Sequence, residues 1–199
     1  MAFLRAGIIP DAVIHGRRVW LRPPQMSDYG PWAELRALSR AHLTPWEPAW
    51  PRDDLTKSAY RRRMRHYQRE ARDDLGYSFL IFDTAADLLL GGVTLSNIRR
   101  GVTQAAAIGY WLGVPYAQRG YMTEAVLAVI PHAFDVLRLH RIEAAAQPEN
   151  IASVRLLERC GFEREGLARR YLKINGEWQD HLLFALLADD RAVRGLRKT

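Results

Sequence analysis

The chain has 199 residues, 48% of them hydrophobic, and its 29 Lys and Arg residues against 22 Asp and Glu give a formal charge of +7. That size suits one hydrophobic core, so the prediction is a single domain over residues 1–199, with its core at about 15–188 and a frayed tail at 189–199. The single cysteine excludes an internal disulfide framework. No apolar run approaches the ~20 residues needed to span a bilayer, and the N-terminus lacks signal-peptide architecture. A cytoplasmic protein with no membrane partner is therefore expected.

The excess of basic residues suits a polyanionic partner, which includes nucleic acid, the ribosome and a phosphate-rich cofactor. An arginine-rich genome would give the same composition, so the charge alone selects none of these. The six histidines and one cysteine show no metal-ligand spacing, and no metal is expected.

In chain order, residues 17–24 predict a strand that two prolines end, and residues 27–43 predict a helix. An ordered loop rich in proline and tryptophan follows at 43–51, and a second helix at 55–74. The second helix carries a core-facing apolar stripe made of Tyr60, Met64, Tyr67 and Ala71. Beside it runs a basic stripe made of Arg61, Arg65, Arg69 and Arg72. The basic stripe is either a solvated face or a surface for nucleic acid or an acidic partner.

The second half predicts strands at 77–83, 88–98 and 105–113, a helix at 121–138, a strand at 140–147 and a short helix at 151–160. Pro131 should kink the longer helix because it lacks a backbone donor. Gly161 is typical of the residue that follows a helix. The Asn-Gly pair at 175–176 joins two final strands into a hairpin. This order predicts a mixed α/β layer built on one sheet.

One junction raises a functional question. The stretch "PYAQRGYMTEA" at 115–125 passes from a strand through a loop with Gly120 into a helix. Such a loop can aim backbone N–H groups at an anion, and it can equally be an ordinary turn.

Five segments, in this order, resemble the GNAT acyltransferase superfamily, and specifically its RimJ/RimL-type branch of ribosomal-protein N-terminal acetyltransferases. They are "RVWLRPPQMSDY" (18–29), "LTPWEP" (43–48), and the longer stretches at 108–125, 140–166 and 171–187. The resemblance implies the GNAT fold, one mixed and mostly antiparallel sheet flanked by helices. It also implies acetyl-CoA as co-substrate and, as acceptor, a protein N-terminus such as that of a ribosomal protein. Sequence-specific nucleic-acid binding is not expected.

The resemblance places the pyrophosphate of acetyl-CoA on a loop with the pattern Gln/Arg-x-x-Gly-x-Gly/Ala. Residues 117–122 match it, except that Ala117 replaces Gln/Arg and Met122 replaces the small residue. Because backbone N–H groups make the contact, binding should survive both changes. The implied cofactor-binding residues are Leu112, Gln118, Arg119, Gly120, Tyr121, Met122, Thr123, Asn150 and Ser153.

Within this set, the backbone N–H near Leu112 is expected to face the thioester carbonyl, Asn150 to lie near pantetheine and Ser153 near the CoA sulfur. No tyrosine stands four to seven residues after Asn150, so Ser153 is the candidate that assists the departing thiolate. The alternative for Asn150 is a helix N-cap. For the Tyr110 and Trp111 side chains, plain packing is preferred.

The acceptor α-amine, with a pKa near ~8, needs only a modest base such as a water held by a carboxylate. Glu47 is the candidate, since it lies in a proline-stiffened loop, and Trp46 beside it would wall a peptide groove. Asp180 and His181 are the next candidates, and Asn97 is a weaker one for binding peptide backbone. The alternatives are a solvated carboxylate for Glu47 and a satisfied sheet histidine for His181. Cys160 is expected to be buried and inert.

The predicted function is therefore acetyl transfer from acetyl-CoA to a protein N-terminal α-amine, by direct attack on the thioester. Two alternatives stay open at this point. One is a GNAT enzyme that acts on a small amine or uses another acyl-CoA. The other is a non-catalytic module that binds acyl-CoA or the ribosome.

Overall fold

The computed structural model describes residues 12–190 and Val193. Its strands are β1 (Ile14–His15), β2 (Val19–Arg22), β3 (Tyr77–Asp83), β4 (Leu89–Arg99), β5 (Ala105–Leu112), β6 (Arg141–Ala146), β7 (Glu163–Ile174) and β8 (Glu177–Leu187). Its helices are α1 (Tyr29–Leu38), α2 (Arg40–Leu43), α3 (Lys57–Arg72), α4 (Tyr121–Pro131) and α5 (Ile151–Arg159). The predictions for the extreme N-terminus and for most of the 189–199 tail fall outside the described residues.

The eight strands form one sheet in the order β1-β2-β3-β4-β5-β6-β8-β7. All neighbouring pairs are antiparallel except β5 and β6, which run parallel. This confirms the predicted α/β fold with one mixed, mostly antiparallel sheet. The parallel pair lies in the middle of the sheet, where the α4 crossover connects its strands.

Helices cover both faces of the sheet. On β3, Phe79 and Ile81 belong to the core under α4 and α5, whereas Leu80 and Phe82 belong to the core under α1 and α3. This alternation follows from the two-residue period of a strand. In the second core, Tyr60 and Met64 are buried as the apolar stripe on α3 predicts. The four arginines of the basic stripe are exposed.

The predicted helix at 27–43 is not one helix. A 3-10 turn at Met26–Asp28 precedes α1, and the chain breaks at Ser39 before α2 begins. Ser39 is buried, and its hydroxyl accepts a hydrogen bond of 2.9 Å from the backbone N–H of Val114. A serine that bonds a distant backbone group favours a helix end over a helix interior.

The predicted helix at 121–138 also changes form. The α-helix ends at Pro131, and a π-helical turn spans His132–Val136. Proline removes one backbone donor, so regular α-helical hydrogen bonding cannot continue there, as expected. Two further details differ from the sequence prediction. The short strand β1 was missed, and the 43–51 loop contains a 3-10 turn at Thr44–Trp46.

The structure confirms two turns that the sequence predicts, one after α5 and one between β7 and β8. Gly161, with φ of 87°, follows α5 as a helix-ending glycine. Asn175 and Gly176 both have positive φ, 45° and 91°, which is the geometry that a tight hairpin turn requires. The turn also contacts the first half of the chain, because Asn175 donates its backbone N–H to the Glu47 carbonyl at 3.0 Å.

Candidate active site

The sheet opens between β5 and β6. The two strands pair only from Ala105–Arg141 to Ala107–Glu143 and then separate. Beyond that point β5 stays paired with β4, where Gly113 donates its N–H to the Leu90 carbonyl at 2.8 Å. Backbone groups alternate in direction along a strand, so the Leu112 N–H faces the opening instead. The opening thus exposes free backbone of a central strand, and the Leu112 N–H is part of it.

Residues 117–122, here called the glycine loop, lie next to the opening and lead into α4. Gln118 and Gly120 both adopt left-handed backbone, with φ of 61° and 82°. Alternation between left-handed and right-handed backbone turns successive N–H groups towards one side. No side chain caps α4, so its first N–H groups and the positive end of its dipole are available to an anion.

Ala117 and Met122 differ from the family pattern Gln/Arg-x-x-Gly-x-Gly/Ala, and the structure explains why a large residue is tolerated at position 122. Met122 is buried in the main core. Its side chain therefore points away from the loop surface, and a larger residue is accommodated there.

Sequence reasoning missed Arg18, which lies beside the glycine loop. Its guanidinium donates to the Arg119 carbonyl at 3.3 Å and lies 4.8 Å from the centre of the Tyr121 ring. Glu124 in the first turn of α4 holds it through a hydrogen bond of 2.9 Å from Arg18 Nε. A second cation, besides Arg119, thus lies at the N-terminus of α4, where it is paired with Glu124.

On the other side of the opening, Asn150 and Ser153 begin α5. The Asn150 side chain accepts a hydrogen bond of 3.1 Å from the Ser153 N–H, so Asn150 is the N-cap. The Ser153 hydroxyl is therefore not needed as a cap.

A cavity of about 380 Å³ lies on the α1 and α3 face of the sheet, against β3, β4 and β5. Its aromatic walls are Trp32, Trp50, Tyr60, Tyr67 and Trp111. The cavity is also lined by residues of β5, the strand that borders the opening: Gly109, Tyr110 and Trp111. We call it the acceptor-side cavity.

Two ion pairs line the acceptor-side cavity. Arg36 donates two hydrogen bonds of 2.8 Å to the Glu47 carboxylate, and Trp50 Nε1 adds a third at 2.7 Å. Arg63 donates to Asp54 at 2.7 Å. The Arg36 guanidinium also lies 4.1 Å from the centre of the Trp50 ring. Glu47 is thus an ordered, paired carboxylate, which corrects the alternative of a solvated one.

Three buried polar atoms in this wall have no hydrogen-bond partner among the described residues: Arg36 Nε, Asp54 Oδ2 and Arg63 Nε. Buried polar groups normally find a partner in protein, water or ligand. All three atoms belong to residues that line one cavity, where water or a ligand can supply the missing partner.

The remaining sequence candidates lie apart from the acceptor-side cavity. Trp46, which was predicted to form a wall of the peptide groove, is exposed. Trp50 lines the acceptor-side cavity instead. Asn97 is exposed near the end of β4, with φ of 52°. Asp180 accepts a hydrogen bond of 2.7 Å from the Arg170 N–H within the β7–β8 hairpin. His181 is buried in β8, and its Nδ1 lies 3.0 Å from the Gln179 carbonyl.

Cys160 is buried at the end of α5, as expected. Burial raises the pKa of its thiol to about 12. The thiol therefore stays protonated at neutral pH and is a poor nucleophile.

Within the described range, no helix is long and apolar enough to cross a membrane.

A split central sheet beside an uncapped helix N-terminus is the architecture of an acyl-CoA-dependent acyltransferase, and comparison with known proteins identifies the class. The family model of the acetyltransferase (GNAT) domain matches residues 18–163. The chain belongs to this family and is a GNAT N-acetyltransferase.

Several relatives are similar over most of their length. The ribosomal protein uS5-alanine N-acetyltransferase of Escherichia coli is 34% identical over 178 residues, 89% of this chain and 87% of the relative. A probable N-acetyltransferase of Bacillus subtilis, YjcK, is 39% identical over 89% of this chain and 98% of its own. Mycobacterium smegmatis RimJ, solved in complex with CoA-disulfide, has a TM-score of 0.87 at 32% identity, with 94% of each chain covered. The chain is thus RimJ-like in both sequence and fold.

Proposed function

We propose that this protein transfers the acetyl group of acetyl-CoA to the N-terminal α-amine of a protein, and that the acceptor is a ribosomal protein. The observation that carries the proposal is the placement of two sites on either side of one opening. The glycine loop and α4 offer an anion site for the diphosphate, and the acceptor-side cavity reaches the same strand, β5. The similarity to RimJ and to uS5-alanine acetyltransferases supports the choice of acceptor.

The reaction follows from this arrangement. Pantetheine pairs with the free edge of β5, which brings the thioester carbonyl to the Leu112 N–H. The acceptor amine approaches from the acceptor-side cavity and attacks the carbonyl carbon directly. The oxygen that becomes negative is stabilised by the N–H group, the carbon–sulfur bond then breaks, and the Ser153 hydroxyl donates a hydrogen bond to the leaving thiolate.

The polar wall of the cavity suits a peptide better than an apolar amine. A peptide N-terminus carries an ammonium or amine group, amide N–H groups and carbonyl oxygens within a few ångströms of one another. The unpartnered Asp54 oxygen matches an N–H donor, and the two unpartnered arginine Nε groups match carbonyl oxygens. The aromatic walls supply the apolar area that ligand sites usually have.

Glu47 is proposed to hold the water that takes the proton from the amine. Its two oxygens are engaged by Arg36 and Trp50, so the carboxylate is fixed in position and faces the acceptor-side cavity. A carboxylate oxygen that accepts one hydrogen bond keeps a lone pair with which it can hold a water.

Glu47→Gln is expected to reduce turnover of a peptide acceptor by about tenfold at pH 7, and by clearly less at pH 9.5. The α-amine has a pKa near ~8, so at pH 9.5 it is already unprotonated and needs no base. Steady-state rates at both pH values measure the effect. Glu165→Gln is the matched control, because it removes an arginine-paired carboxylate that does not line this cavity, and its rates should equal those of the unmodified protein at both pH values. An equal loss by Glu47→Gln at both pH values would contradict the role as base and indicate peptide positioning.

The test of the proposed function is release of free CoA thiol in the presence of a panel of acceptors. The panel contains peptides that begin with Ala, Ser or Met, free lysine, and an aminoglycoside. Turnover with peptides, and little with the small amines, is expected. Turnover with a small amine alone would overturn the proposed acceptor, and thiol release with none of them would point to a binding module.

A further inference from the structure

Arg18 joins the sheet to the glycine loop. It lies directly before β2, which begins at Val19, and its Nη2 donates to the Arg119 carbonyl at 3.3 Å. A Cβ atom added to Gly120 would lie 3.4 Å from the same Nη2. The guanidinium therefore covers the peptide group between residues 119 and 120 from one side. Arg18 and Arg119 are 101 positions apart in the chain, so a motif confined to the loop does not contain this contact.

Two further groups hold the Arg18 guanidinium. Its Nε donates to the Glu124 carboxylate at 2.9 Å, and the same carboxylate accepts a hydrogen bond from the Arg18 backbone N–H. The guanidinium also lies 4.8 Å from the centre of the Tyr121 ring, within the range of a cation–π interaction. An exposed ion pair alone contributes little, but a guanidinium held by a carboxylate, a ring and a carbonyl is fixed in orientation.

The contact with the Arg119 carbonyl sets the direction of the Gly120 N–H. In a planar trans peptide the C=O and N–H bonds point in opposite directions. Because Arg18 holds the carbonyl oxygen, the Gly120 N–H points away from Arg18. Glycine permits many backbone conformations, so the residue itself does not select this orientation. A flipped peptide would present its carbonyl oxygen where an anion requires an N–H donor.

We propose that Arg18 is a positioning residue, which holds the Arg119 carbonyl so that the Gly120 N–H faces the diphosphate of acetyl-CoA. Glu124 takes part because it holds Arg18. The inference rests on the diphosphate site of the proposed function and adds to it the group that orients one of its donors. Arg18 acts on the diphosphate through the peptide group and does not need to touch it.

Calorimetric titration of the protein with CoA and with pantetheine tests the proposal. Arg18→Gln should raise the Kd for CoA about fivefold, because one N–H group is no longer held towards the diphosphate. The Kd for pantetheine, which lacks the diphosphate, should change by less than about twofold. Arg62→Gln is the matched control, since it removes an equal charge from an exposed arginine that pairs with Asp53 on the other face of the sheet. Its affinity for CoA should equal that of the unmodified protein.

Glu124→Ala separates positioning from simple charge attraction. If Arg18 acted only as a cation, removal of the neighbouring negative charge would tighten CoA binding. If Arg18 positions the peptide group, loss of the carboxylate releases it, and the Kd for CoA should rise about threefold. In an Arg18→Gln background the Glu124→Ala change should have no further effect, because both act through the same group.

Three results would overturn the proposal: an unchanged CoA affinity in Arg18→Gln, an equal loss of pantetheine affinity, or CoA binding that is unchanged or tighter in Glu124→Ala. Thermal melts of all variants exclude a loss of folded protein as the cause. The titrations contain no acceptor, so a protein that acetylates a different amine refutes the proposed acceptor and leaves this test unaffected. An unmodified protein that binds CoA no better than pantetheine would refute the diphosphate site, and the role of Arg18 with it.

Discussion

Pantetheine alone is expected to bind at least about 100-fold more weakly than CoA, whereas dephospho-CoA should bind within about tenfold of CoA. A charge-assisted hydrogen bond from an N–H group to phosphate contributes roughly 1.5–3 kcal/mol, and the glycine loop with α4 offers more than one. Two such contacts already exceed the ~2.7 kcal/mol that a 100-fold difference requires. Dephospho-CoA keeps the diphosphate that the glycine loop is proposed to bind, so loss of the 3′-phosphate should matter less. Isothermal calorimetry with the three ligands measures the series.

Two glycine variants make this experiment specific to the loop. Gly120→Ala and Gly176→Ala each place a side chain on left-handed backbone, which costs about 1–2 kcal/mol of stability. Only Gly120 belongs to the glycine loop, so only Gly120→Ala should weaken CoA binding. Equal affinities for pantetheine and CoA would contradict a diphosphate site at α4.

Ser153→Ala is expected to lower kcat on the order of 10- to 100-fold, or about 1.4–2.7 kcal/mol, and to leave the KM for acetyl-CoA nearly unchanged. The hydroxyl acts on charge that is present only as the thiolate leaves, and interactions of this kind affect kcat rather than binding. Steady-state kinetics with a peptide acceptor measure the change.

The structure makes the stability control for Ser153→Ala sharper. Because Asn150 is the N-cap of α5, removal of the Ser153 hydroxyl should cost the helix little. Thr56→Ala removes a genuine N-cap, since Thr56 Oγ1 accepts from the Ala59 N–H at 3.2 Å, and should cost ~1 kcal/mol with normal turnover. A Ser153→Ala protein that is destabilised but fully active would contradict the role assigned to its hydroxyl.

The sequence predicted those parts of the site that depend on local chemistry. Gly120 follows from the need for left-handed backbone in a tight loop, and Asn150 from the side chains that cap helices. Each of these signals lies within a few residues of the group it predicts.

The acceptor-side cavity was not predictable in the same way, because its groups meet through the tertiary fold. Arg36 on α1 and Glu47 in the following loop pair only because Trp50 and Trp111 enclose the arginine between them. Nothing in the local pattern distinguishes Arg36 from the exposed arginines on α3.

The break at Ser39 has the same origin. Residues 27–43 have helical periodicity throughout, and the partner that interrupts the helix, the Val114 N–H, lies 75 positions away. Tertiary contacts override local propensity in such places. A buried serine in the middle of an amphipathic pattern was the one available signal.

The central claim is that the acceptor is an N-terminal α-amine, and one measurement tests it directly. A peptide that begins with alanine and also contains an internal lysine is incubated with acetyl-CoA and the protein, and tandem mass spectrometry locates the acetyl group. Acetylation of the α-amine, with CoA released in equal amount and the lysine unmodified, is the predicted result. Acetylation of the lysine side chain, or no modification of the peptide by a protein that acetylates a small amine, would contradict it.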